Sequence, residues 1–68
     1  MHYVVQMDRE ADGRWIADVP DLPGVMAYGA TADEAARKCE ALALRVIADR
    51  LEHDETRPES FAMTISAA

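Results

Sequence analysis

The chain has 68 residues, room for one small domain spanning 1–68 and no second module, because domains usually exceed about 50 residues. Thirteen Asp and Glu against seven Lys and Arg give a net charge of −6 and a pI near 4.6, the wrong sign for a phosphate-binding surface, which argues against direct nucleic-acid binding. The single Cys39 makes neither an intramolecular disulfide nor a Cys-x-x-Cys metal site, and no apolar run exceeds four residues where a bilayer span needs about 20.

Half of the residues are apolar, but thirteen of these are alanine, so the bulky inventory is thin and favours a core supported by a partner chain. Without the apolar stretch of a signal peptide near the N-terminus, the expected location is cytoplasmic.

Residues 1–7, dominated by Tyr3, Val4 and Val5, predict a first strand. Asp12-Gly13 then marks a hairpin turn, because glycine takes positive φ at little cost. Residues 15–19 alternate as a second strand, with Trp15 on one face and Ile16 on the other, until Pro20 ends it. Asp21, Leu22, Pro23 and Gly24 form the next turn, proline suiting the first central position of a type II turn and glycine the second. Residues 25–29 give a third strand with Val25 and Ala27 facing one way and Met26 and Tyr28 the other. Three strands joined by short turns make an antiparallel meander.

The hydrophobic period then changes. Thr31-Ala32-Asp33-Glu34 fits a capping box, in which the threonine hydroxyl accepts from the third helical amide and the glutamate reaches back to the threonine amide. A helix over 32–52 follows, uninterrupted by Gly or Pro and about 31 Å long at 1.5 Å per residue. Ala32, Ala35, Ala36, Cys39, Leu42, Ala43 and Val46 fall on one stripe, assigned to the sheet. Leu44, Ile47 and Leu51 form a second ridge, either the margin of the core or a homodimer interface. Residues 53–60 are polar and end the helix, with Pro58 discouraging its continuation, and Phe61, Met63 and Ile65 alternate with smaller residues as a final strand. The predicted class is α+β, β-β-β-α-β, with the long helix on one face of a small antiparallel sheet.

No catalytic constellation emerges. His2 and His53 lack a metal-ligand spacing, Asp8, Glu10 and Asp12 are too closely spaced for an EF-hand loop, and Cys39 falls on the apolar helical stripe. The reading is therefore a non-enzyme without cofactor or metal, acting by contact. Acidic residues dominate 49–59, where five acids stand against two bases. Asp54, Glu55 and Glu59 are the candidate contacts to a basic partner, and exposed sheet edges offer strand addition as a second mode.

Two motifs sharpen this. Trp15-Ile16-Ala17-Asp18-Val19-Pro20-Asp21-Leu22-Pro23-Gly24-Val25, followed by Tyr28-Gly29-Ala30-Thr31-Ala32-Asp33-Glu34-Ala35, resembles the N-terminal domain of HicB-family antitoxins: an aromatic strand, a D-L-P-G turn, a short strand, then G-x-T-x-x-E-A opening a helix. The resemblance covers about residues 3–51 and does not extend to the C-terminal DNA-binding segment that such antitoxins commonly carry. It implies a compact domain akin to a partial double-stranded-RNA-binding fold. It also implies an antitoxin of a type II toxin-antitoxin system that neutralises a small basic HicA-like ribonuclease by direct protein binding. The alternative is a solitary HicB-like structural or regulatory interaction module without a toxin partner.

Overall fold

A computed structural model describes residues 2–53 and the backbone of residues 62–67. Along the chain run β1 (His2–Arg9), β2 (Trp15–Asp18), β3 (Met26–Gly29), α1 (Ala32–Glu52) and β4 (Ala62–Ala67), the β-β-β-α-β order that the sequence predicts. The strands form one sheet in the order β3-β2-β1-β4. β1–β2 and β2–β3 pair antiparallel, as strands joined by tight turns must. β4 departs from the expected antiparallel sheet by pairing parallel with β1, from His2↔Ala62 to Met7↔Ala67. The helix is the reason: it carries the chain back along the sheet, so the next strand repeats the direction of β3, which is also that of β1.

The first hairpin is tighter than a generic turn. Glu10 N donates to Arg14 O at 2.7 Å and Gly13 N to Glu10 O at 2.9 Å, which leaves a three-residue loop ending on Gly13 at φ +93°. A turn followed by a left-handed glycine is a favoured way to close a three-residue hairpin. Asp12 braces it, accepting from Arg14 N at 3.0 Å and from Arg14 Nε at 2.8 Å.

The core lies between the sheet and α1. Its sheet side supplies Tyr3, Val5 and Met7 from β1, Ala17 from β2, and Val19, Leu22 and Val25 from the β2–β3 connection. Its helix side supplies Ala35, Ala36, Cys39, Ala43 and Ile47, with Ala32, Leu42 and Val46 partly covered. Large side chains on the sheet thus meet small ones on the helix, a pairing that lets the two layers interdigitate without voids. The burial of Cys39 raises its thiol pKa, and the nearby charges of Asp18 and Glu40 act in the same direction. Cys39 therefore behaves as the small apolar core residue the sequence suggests.

The helix starts where Thr31 caps it: the hydroxyl accepts from Glu34 N at 3.1 Å, and Ala35 N donates to Thr31 O at 3.1 Å. The chain reaches this cap directly from the last residue of β3. A Cβ on Gly29 would lie 2.5 Å from Ala35 N and 3.0 Å from the Ala35 Cα, so the strand end and the first helical turn are in backbone contact. Neither atom belongs to a side chain that could swing aside. Gly29→Ala is expected to lower stability by about 1–3 kcal/mol, the usual cost of overpacking, read as a fall in the urea midpoint at unchanged slope. An unchanged midpoint would show that the junction is not under this constraint.

Candidate functional site

The β2–β3 connection holds two consecutive turns inside one closed loop. Val19 N donates to Val25 O at 3.0 Å across its base, Leu22 N donates to Val19 O at 2.9 Å, and Val25 N donates to Leu22 O at 3.0 Å. The second turn is the one the sequence specifies, with Pro23 and then Gly24 at φ +86° in the central positions of a type II geometry. Asp21 and Pro23 are exposed tips, but Leu22 is only 1% exposed and is the largest fully buried side chain described. The sequence treats Leu22 as a turn residue; it is also the plug that anchors the loop to the core.

Beside this loop is a groove of about 390 Å³, bordered by Ile16 and Asp18 of β2, Pro20 and Pro23 of the loop, and Met26 of β3. It opens on the sheet face away from α1. The register sets two rows of paired positions across that face, Asp8–Ile16–Tyr28 and Gln6–Asp18–Met26. Met26 is 45% and Tyr28 42% exposed, while Ile16 and Asp18 are half-buried. Arg14 lies over the Tyr28 ring at 4.6 Å and is tied to Asp12 at 2.8 Å, so the hairpin tip and the edge strand are linked through one guanidinium. On the opposite side of the same hairpin Arg9 stands 5.8 Å from the Trp15 ring.

The electrostatics are those of exposed, locally paired charges. Asp12 is held below the usual carboxylate range, chiefly by the Arg14 backbone amide and next by the Arg14 side chain. Glu34 is also lowered, first by the hydrogen bond from Lys38 Nζ at 2.9 Å and then by that ammonium's charge. Glu34 thus meets Lys38 one turn on, with a smaller backbone contribution from Ala30 beside the cap, and the threonine hydroxyl bond of the predicted capping box is formed. No group of three or more His, Cys, Asp or Glu among the described residues is arranged to hold a metal ion. No helix among them is long and apolar enough to cross a membrane.

The predicted contact residues fare unevenly. Asp54, Glu55 and Glu59 lie outside the described residues, as does Phe61. The predicted interface ridge divides: Leu44 and Leu51 are 50% and 42% exposed, but Ile47 is 6% exposed and belongs to the core. Ile47 stands one turn beyond Ala43 and three beyond Ala36, so it continues their buried row, whereas Leu44 and Leu51 are rotated past its margin. Sequence alone does not mark Ile16, Asp18, Met26 and Tyr28 as a site. The two-residue alternation that put Met26 and Tyr28 opposite Val25 and Ala27 was the available signal. What it lacks is which face the helix covers.

No protein-family model matches the chain, and no curated protein or solved structure matches it either.

Two outcomes follow from the loop and the helix start. Leu22→Ala should cost about 2–5 kcal/mol, the range for emptying a buried leucine site, and should destabilise more than Pro23→Ala at the exposed tip. Equal midpoints for the two variants in urea would reject the plug. For Glu34, whose folded pKa lies below its ordinary 4.5, the stabilising contribution is present above that value and is lost as pH falls through the depressed one. A side-chain titration followed by NMR should place the Glu34 midpoint below 4.5 and move it upward in Lys38→Met. No movement in that variant would mean that another group sets the shift.

Proposed function

We propose that the chain is a HicB-like antitoxin domain that neutralises a small, basic HicA-like ribonuclease by direct contact. The observation that carries this reading is the groove beside the β2–β3 loop: its walls are apolar, its rim bears the Asp18 carboxylate, and it belongs to a chain of net charge −6. A lysine or arginine side chain has matching chemistry, an aliphatic stem to lay on Ile16 and Met26 and a cationic head to meet Asp18. A ribonuclease exposes such side chains where it holds phosphates, and an acidic protein bound there occupies the RNA path. The D-L-P-G and G-x-T-x-x-E-A motifs support the family assignment, and both serve local geometry here, at Gly24 in the loop and at Gly29 and Thr31 at the helix start.

The test begins with a basic toxin encoded beside this chain. Co-expression should relieve RNA cleavage, and a purified chain that neither binds nor protects against that toxin ends the antitoxin reading. Asp8→Lys with Asp18→Asn should weaken association at least about tenfold, about 1.4 kcal/mol, and flatten its salt dependence. The triple exchange of Asp54, Glu55 and Glu59 to lysine is the parallel arm. Association that stays unchanged in both sets across a salt series rejects electrostatic recognition.

A further inference from the structure

We propose that the free edge of β3 is a self-pairing surface, on which a second copy of this chain adds its own β3 antiparallel across a two-fold axis. β3 has β2 on one side and, among the described residues, no strand on the other. The hydrogen-bond phase says which residues face that edge. Val19 N donates to Val25 O across the loop base, so Val25, Ala27 and Gly29 turn their backbone groups towards β2. Met26 and Tyr28 therefore turn theirs outward. The first hairpin leads to the same phase: the bond from Glu10 N to Arg14 O commits Ile16 and Asp18 to β1, leaving Trp15 and Ala17 for Gly29 and Ala27.

Residues directly opposite in an antiparallel pair share a sheet face. With Ala27 on the axis, Met26 of one copy lies opposite Tyr28 of the other, and the axis repeats that pair. Each such pair exchanges both of its outward backbone bonds. On the open face the exposed Met26 thioether meets the exposed Tyr28 ring, a favourable sulfur–aromatic contact. The patch is thus complementary to itself, as a two-fold interface requires.

Charge selects a second copy as the occupant. Copies of a chain carrying −6 repel wherever their carboxylates meet, yet residues 22–32 carry no charged side chain, the longest such run in the sequence. β3 is inside that run. It also lacks the lysine, proline or bulge with which isolated edge strands are commonly protected. The contact extends beyond the strands, because α1 rests chiefly on β3 and β2. With strands about 4.8 Å apart, a helix centred between β2 and β3 comes to about 10 Å from its symmetry mate, an ordinary helix-packing distance.

Sedimentation of the full chain over a concentration range should give a dimer. Met26→Pro removes an outward donor without touching the bonds to β2, and it should abolish the dimer while circular dichroism stays native. Leu44→Glu with Leu51→Glu should leave the dimer intact. In a Cys39→Ala background, Ala27→Cys should cross-link the two copies under mild oxidation, since paired Cα atoms at a non-hydrogen-bonded position fall within disulfide range. A wild-type chain that stays monomeric at the highest concentration reached, a dimer split by the helix variants and not by Met26→Pro, or a dimer that Ala27→Cys fails to cross-link would each overturn the proposal. If Met26→Pro does not fold, the cross-link and the helix variants decide it.

Discussion

The closest constraint in the molecule is the backbone contact between the end of β3 and the first turn of α1. With Gly29 against Ala35, the strand and the helix are separated by only two residues, Ala30 and the cap Thr31. A junction that short fixes where the helix begins and the direction in which it leaves the sheet. The rest of the packing follows from that direction. A helix starting in backbone contact with the sheet has little room for bulk along its inner face, and Ala35, Ala36, Cys39 and Ala43 meet that limit. Volume then has to come from the other side, as it does from Tyr3, Val5, Met7 and Leu22. The larger Ile47 enters the core three turns beyond Ala36, well away from the tight junction.

Much of this was legible because the signals were local. The helix bounds, 32–52, follow from a cap, a change of period and the absence of breakers, all of which act within a few residues. The Gly13 and Gly24 turns were legible for the same reason: positive φ is a single-residue requirement. The departures are non-local. The direction of β4 depends on where a helix delivers the chain, and the burial of Leu22 depends on a loop folding under the sheet rather than away from it. Ile47 lies about 80° from the centre of the stripe at 100° per residue, and whether that angle is inside or outside the core depends on the width of the opposing sheet.

The candidate site was hidden for a related reason. Alternation separates Ile16, Asp18, Met26 and Tyr28 from the residues between them, but a strand pattern has no sign until the helix covers one face. Here the covered face takes Trp15 and Ala17 of β2 and Ala27 of β3, and the open face keeps Ile16, Asp18, Met26 and Tyr28. An uncovered face that carries an isoleucine, a methionine and a tyrosine around one carboxylate has the composition of a contact surface, mixed in polarity and rich in side chains that work in recognition.

The charges are not spread evenly over that surface, and their distribution separates two kinds of contact. Carboxylates are placed at Asp8 and Asp18 towards the middle of the sheet, while residues 22–32, which include β3, carry no charge of their own and the guanidinium over Tyr28 is the Asp12-paired Arg14. A basic partner attracted by the whole chain gains from the first region and nothing from the second. A second copy is repelled by the first and tolerated by the second. Salt therefore acts oppositely on the two proposed contacts, weakening association with a basic protein through screening and easing self-association by damping the repulsion between like-charged copies. The two contacts also draw on different parts of the chain: one on side chains of the open face, the other on backbone groups of an edge. A single domain of this size can offer both because the edge and the face of a sheet are perpendicular surfaces, and only the alternation at Met26 and Tyr28, whose side chains point to the face and whose amides point to the edge, joins them.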